Sequence, residues 1–394
     1  MGSADHRQHI LMLPFLAQGH LIPFLALARQ IHRRSTGFTI TIASTHLNVQ
    51  YLRSALSSDP DPDPNPDSNS LSCSKIHLAE LPFCSSDHGL PPNAENTESL
   101  SGNALPIFCH ASRTLEAPFR RLVRDIMYQE GQPPLCIISD VFFGWAVNVA
   151  RSLGSVSVTF TTCGAYGTAA YMSFWLNLPH RHTDCEEFTL PGLPDSHRFH
   201  PSQLHQLAKA ADGTDTWSIF MQSQISLSLL SHGWLCNTVE DIELLGLEVL
   251  RKLLKLPVWA IGPLLPPAAL RKYSPSSSGL NISRQHAGKK PGICPENCIE
   301  WLNLHDPASV IYVSFGSQNI GASQMRELAL GLRKWKTFHL GPKATIGFDI
   351  KGEFRAEWLP EGFEKRMTES KQGLLVHNWA PNWRFWHTNL RERF

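Results

Sequence analysis

Ile10-Leu11-Met12-Leu13-Pro14-Phe15 is a short apolar run that reads as a strand buried on both faces. The loop Ala17-Gln18-Gly19-His20 follows it. Pro23 suits a first helical turn, and Phe24, Leu27, Ala28 and Ile31 then recur at helical spacing. The next run, Phe38-Thr39-Ile40-Thr41-Ile42-Ala43, is β-branched and strand-like. Strand, helix and strand within about thirty residues make a βαβ unit, and such a unit implies parallel strands with a right-handed crossover. The fold class is α/β.

The same grammar returns at Leu135-Cys136-Ile137-Ile138-Ser139-Asp140, which is followed by an apolar helical stretch through Ala150. Val156–Phe160 reads as another strand, and residues 231–239 and Val258–Ile261 read as the last strands of a first domain. The run Asp59-Pro60-Asp61-Pro62-Asp63-Pro64-Asn65-Pro66 cannot enter a sheet and reads as a surface loop. Pro266–Lys290 is rich in Pro, Ser and Gly, a composition suited to a linker. After it come a helix around Ile299–Leu302, a strand at Val310–Phe315 closed by Gly316-Ser317, and a helix from Ser323 to Leu332. The expected organisation is therefore a domain over residues 1–262, a linker over 263–290 and a second domain over 291–394.

A formal net charge of +1 and 18% charged residues give no basic field for nucleic acid. No apolar run is long enough to span a bilayer, and the start Met1–His6 has no hydrophobic signal core, so a cytoplasmic protein is expected. The nine cysteines are scattered; Cys294 and Cys298 lie four apart without a matching second pair, which favours plain thiols over a zinc site. The sequon Asn281-Ile282-Ser283 would then never be glycosylated. No metal ligand set is expected.

Three positions carry chemistry. His20 lies in a glycine-containing loop at the carboxyl end of the first strand, where open α/β sheets place ligands, and imidazole can accept a proton near neutral pH. It is also one of nineteen histidines. Asp140 ends another apolar strand at the same edge, so it either orients an imidazole or caps the following helix. Gly316-Ser317, between a strand and a helix, could offer amides and a hydroxyl to phosphate, although no GxGxxG or P-loop accompanies it.

Over almost its whole length the chain resembles plant UDP-glycosyltransferases. The resemblance rests on Phe15–Pro23, Ser139–Trp145, Trp259–Pro263, Trp301-Leu302 with Asp306-Pro307, Val310–Ser317, Trp358–Phe363 and Trp379-Ala380-Pro381, all in family order. Leu81–Pro91 is similar to the acceptor loop of the group numbered 92. The resemblance implies a GT-B fold of two Rossmann-like domains, the second incomplete here, acting as a monomer with a UDP-sugar donor and a small-molecule acceptor. It implies inverting transfer of a hexose, glucose above all, to a hydroxyl of a small lipophilic plant metabolite, with UDP-sugar as co-substrate and no cofactor. His20 would be the general base and Asp140 its orienting partner. Gly19, Ser317 and Trp379 would contact the donor; His20, Phe15, Phe143 and Trp145 would contact the acceptor.

The chain departs from the family twice. One permitted set of codons for Arg333–Ile346, read one base later, encodes Glu-Ser-Gly-Lys-Pro-Phe-Ile-Trp-Ala-Arg-Arg-Pro-Pro, which is the family's strand. Restoring one base after the codon of Pro381 likewise converts Asn382–Thr388 into Gln-Leu-Glu-Ile-Leu-Ala-His, the family's continuation. Two frame disruptions are the reading of these segments. Residues 333–345 are then expected to fit a parallel sheet poorly, and with most of the donor signature missing the chain as written is expected not to transfer sugar at a useful rate, a catalytically dead acceptor-binding remnant being the alternative to an active transferase.

Overall fold

The computed structural model describes residues 8–35, 37–58, 76–100, 104–183, 185–265, 292–306, 309–314, 321–332, 338–341 and 356–376. The loop at Asp59–Pro66, the linker and its sequon, Ser317, Trp379 and most of the two out-of-frame segments lie outside the described residues. The chain divides into two compact units, residues 1–53 with 61–266, and residues 54–60 with 267–394.

The first unit opens with β1 (Gln8–Leu13), α1 (Gln18–Arg34), β2 (Phe38–Thr45), α2 (His46–Ser58, counted here as far as residue 53) and β3 (His77–Leu81). It continues through α3 (Leu105–Ala111), α4 (Glu116–Glu130), β4 (Cys136–Asp140), α5 (Trp145–Ser152), β5 (Val156–Thr161) and α6 (Ala165–Asn177). A short hairpin of β6 (Phe188–Thr189) and β7 (Arg198–Phe199) precedes α7 (Gln206–Ala210) and α8 (Thr216–Ser228). β8 (Gly233–Cys236), α9 (Glu240–Leu254) and β9 (Val258–Ala260) complete it.

The order β3-β2-β1-β4-β5-β8-β9 makes one wholly parallel sheet. Its central strands are apolar on both faces because helices cover both; in β1, His9 to Leu13 are all buried. The strand order reverses between β1 and β4, so the ligand crevice of such a sheet falls at their carboxyl ends. α1 begins at Gln18, which puts Pro23 in its second turn rather than its first. Pro23 has no N–H to give the Gly19 carbonyl four residues back, so that carbonyl is left for other partners.

Asp215 caps α8, its Oδ1 accepting from the amides of Trp217 (3.0 Å) and Ser218 (2.9 Å). Burial pushes this carboxyl up, but hydrogen bonds from the Ser218 side chain and from the Ser218, Asp212 and Trp217 amides outweigh it and hold it below the usual carboxylate range. A depressed folded value means the contribution is present above the ordinary carboxylate pKa of about 4 and is lost as pH falls through the lower folded value. Asp215→Ala is therefore expected to cost about 1 kcal/mol in urea unfolding at neutral pH. The gap to the parent should shrink as the titration is taken below the carboxylate range.

In the second unit, α10 (Pro295–Leu302), β10 (Ile311–Ser314), α11 (Ala322–Leu332), β11 (Phe338–Gly341), α12 (Phe363–Glu369) and β12 (Gly373–Leu375) follow in order. β10, β11 and β12 form a parallel sheet with β11 in the middle. Strand residues alternate between two small cores. Ile311, Val313 and Leu375 pack with Met325, Trp358 and Phe363, whereas Tyr312 and Leu374 pack with Cys298, Leu302 and Val376. The segment expected to fit badly nonetheless supplies the central strand. Its backbone pairs in register, Phe338 with Ile311 and Gly373, because ladder hydrogen bonds are indifferent to side-chain identity.

Candidate active site

The β1–β4 crevice is built from two strand ends. After Leu13 the chain leaves β1, turns through Phe15–Ala17 and enters α1, whose third residue is His20. β4 ends on Asp140, which is fully buried. His20 Nδ1 and Asp140 Oδ2 are 2.6 Å apart, with the His20 side chain 19% exposed. A carboxylate accepts, so the shared hydrogen sits on Nδ1 and Nε2 keeps its lone pair. Among the described residues Nε2 has no hydrogen-bond partner.

Asp140 also accepts from Phe142 N through Oδ1 at 3.0 Å, capping the short 3-10 turn Val141–Phe143. The two sequence readings of Asp140 were alternatives; in the structure one oxygen serves each, and the cap fixes the carboxylate that faces the imidazole.

Rings enclose His20. Phe15 lies edge-on at 5.5 Å between centroids, and Phe142 lies at 5.5 Å on a tilt of 44°. Phe15 contacts Phe142 (5.1 Å), Phe143 (5.4 Å) and Phe108 (6.3 Å), and Phe108 meets Phe83 of the Leu81–Pro91 loop at 6.0 Å. That loop is tied by Ser85, whose Oγ donates to the Pro91 carbonyl at 2.7 Å and accepts from Ala94 N at 3.2 Å.

The expected acceptor contacts divide. Phe15 braces His20 but is 3% exposed. Phe143 (0%) and Trp145 (3%) do not face the crevice; they pack on one another at 5.3 Å and, through Trp145, on Phe119 in the core. The correction is one of direction: the 3-10 turn after Asp140 turns Phe143 inward and leaves the half-buried Phe142 against His20. Tyr171 of α6, edge-on to Phe142 at 6.4 Å, is a second wall residue the sequence reading passed over. Nothing in residue spacing separates Phe142 from Phe143, because both follow a strand end and neither lies in a periodic stretch.

Gly144 is a glycine for lack of room: a Cβ there would sit 2.1 Å from the Gln224 carbonyl oxygen of α8. Gly19 is exposed in the first turn of α1, with nothing within 4 Å of a Cβ built on it. Ala17, at the N-cap, supplies no side-chain cap. No group of three or more His, Cys, Asp or Glu side chains positioned for a metal occurs among the described residues, and the eight described cysteines are free thiols. No described helix is long and apolar enough to cross a membrane.

Residues 7–266 match the family model described as glycosyltransferase, N-terminal domain. The chain is 44% identical over 378 residues to crocetin glucosyltransferase 3 of Crocus sativus, covering 95% of this chain and 74% of that one. It is 38% identical to UDP-glycosyltransferase 92A1 of Arabidopsis thaliana, over 94% of this chain and 72% of the relative. The fold matches Glycyrrhiza uralensis UGT73P12, crystallised with glycyrrhetinic acid 3-O-monoglucuronide, at TM-score 0.71 and 25% identity over 97% and 71% of the two chains. Medicago truncatula UGT71G1, crystallised with UDP-glucose, matches at TM-score 0.67 and 19% identity over 99% and 76%, a likeness of fold. With a parallel doubly wound sheet, these relatives and this family match, the chain belongs to the plant UDP-glycosyltransferases of glycosyltransferase family 1 and is a GT-B enzyme by family.

Proposed function

We propose that the chain transfers a hexose, glucose first among candidates, from a UDP-sugar to a hydroxyl of a small lipophilic metabolite, with inversion at the anomeric carbon. The observation that carries the reading is the 2.6 Å His20–Asp140 contact at the sheet's switch point, with Nε2 unengaged. The acceptor hydroxyl gives its proton to Nε2 as its oxygen attacks C1 of the sugar. The bond from C1 to the β-phosphate oxygen breaks, and UDP departs with that electron pair. Asp140 holds the tautomer and stabilises the imidazolium. The step uses two side chains and calls for no cofactor.

The aromatic wall supports the acceptor class, since the half-buried Phe142, braced by Phe15 and Tyr171, presents apolar ring surface beside His20 to a flat or hydrophobic molecule. Phe142→Ala is expected to raise the acceptor KM roughly tenfold, about one aromatic pair, while leaving the KM for UDP-glucose unchanged. On the donor side, the uncapped first turn of α1 and the exposed Gly19 suit a diphosphate oxygen. Ser317 and Trp379 are the further donor contacts that the family resemblance implies.

The test is incubation of the purified chain with UDP-glucose and a panel of hydroxyl acceptors: scopoletin, an anthocyanin and a flavonol. UDP release and the anomeric configuration of the product are read out. A β-glucoside supports the reading; retention of configuration, or no product across the panel, overturns it.

A further inference from the structure

α6 begins at Ala165 behind Gly164, which has no side chain to cap the first amides of the helix. The cap comes from α9, 78 residues away: Glu243 Oε2 accepts from Ala165 N at 2.8 Å and Oε1 from Tyr166 N at 3.2 Å. The surrounding chain is shaped to this contact. α9 leaves helical geometry at Glu243 itself (φ −129°, ψ 40°). A Cβ on Gly164 would lie 2.5 Å from Glu243 Oε2, and one on Gly246 would lie 2.7 Å from Tyr166 N, so both positions need glycine for close approach. Burial pushes the Glu243 carboxyl up, but hydrogen bonds from the Thr238 side chain and the Ala165 and Tyr166 amides hold it below the usual range.

α6 starts beside the carboxyl end of β5, the strand paired with Asp140's own β4. Thr168 ties the helix to that strand, its Oγ1 lying 2.8 Å from Thr161 Oγ1. One turn further on, Tyr171 supports Phe142, and Phe142 lies against His20.

We propose that Glu243 is a positioning residue of the acceptor site: by capping α6 from α9, its carboxylate fixes the helix whose Tyr171 holds Phe142 against His20. The proposal rests on the reading of the His20 crevice as an acceptor site. Glu243 touches neither reactant, so its loss registers in acceptor affinity rather than in the chemical step.

The geometry supplies its own rescue. Gly164 has extended N-cap backbone (φ −67°, ψ 163°), and its missing Cβ points at the Glu243 carboxylate. Gly164→Asp alone therefore collides with Glu243, but in a Glu243→Ala background the new aspartate fills the vacated space as a local cap. Four full-length proteins are compared, the parent, Glu243→Ala, Gly164→Asp and the double variant, with UDP-glucose and the panel acceptor turned over fastest. Amide exchange at Ala165 and Tyr166 is measured in parallel. Glu243→Ala is expected to raise the acceptor KM about tenfold and to speed exchange at both amides, the scale of one lost helix cap. Its kcat should stay within about twofold and its KM for UDP-glucose should not move. The double variant is expected to recover both readouts.

Unchanged acceptor KM and exchange in Glu243→Ala would overturn the proposal, and so would a double variant no better than Glu243→Ala, since mere packing by Glu243 is not restored by a cap at 164. A His20→Ala control separates the two readings. If it keeps turnover, or if the parent turns over no acceptor, the site reading fails, and the exchange and its rescue alone decide whether Glu243 caps α6.

Discussion

Turnover is expected to fall about a thousandfold when His20 is replaced by alanine, because the acceptor hydroxyl loses the group that takes its proton. The acceptor KM should change far less, since Phe15 and Phe142 remain to form the wall. Asp140→Asn is the sharper companion. It keeps the shape of a fully buried side chain and an oxygen for the Phe142 amide, yet it no longer fixes the hydrogen on Nδ1. A loss of kcat of about a hundredfold or more, with folding stability close to the parent, is expected. Asp140→Ala should add a stability loss of about 1 kcal/mol, because the cap of the 3-10 turn goes as well. Steady-state kinetics beside urea unfolding separates these contributions, and a His20→Ala enzyme with parental kcat would remove the imidazole from the mechanism.

The largest stability effect is expected at Phe143. Its ring is wholly buried between Phe15 and Trp145, and truncation to alanine leaves a cavity in a core that cannot readily collapse. A cost of about 3–5 kcal/mol is expected in urea unfolding, with the acceptor KM of the folded fraction little altered. Phe142→Ala should show the reverse pattern, a changed KM with a small change in stability. Equal KM effects at positions 142 and 143 would mean that the acceptor reaches the inner ring.

Much of the fold was legible because a parallel strand covered on both faces leaves an apolar run in the sequence. β4 falls within the run read as a strand, β1, β2 and β5 overlap theirs with ends displaced by one or two residues, and β8 and β9 lie inside the two stretches assigned to the end of the first domain. The pairing of His20 with Asp140 was legible for a related reason: strand ends at a common sheet edge converge, whatever separates them along the chain. Residues without periodicity were not. Phe143 and Trp145 sit one and three residues past Phe142, and their directions depend on a 3-10 turn that the Asp140 cap fixes. Glu243 reads as an ordinary charge near a helix start, and the amides it caps lie 78 and 77 residues upstream. β11 shows the converse, a segment that looks wrong by side chain and still pairs by backbone.

Strand order also dictates how this protein is made. β1 is an interior strand of the seven-stranded sheet, third from the β3 edge, while the edge strand β9 is also the last of the seven to leave the ribosome. At about 5–20 residues per second, roughly 12–50 s of synthesis separate the emergence of β1 from that of β9. From the emergence of β8 until that of β9, 22 residues (258 − 236) or about 1–4 s later, β8 has no neighbour on its outer side, and its Trp234 amide waits for the Pro257 carbonyl that it meets at 2.8 Å in the finished fold. Nascent chains paused between residues 236 and 258 should therefore be the species most prone to edge-to-edge association and most in need of a holding chaperone.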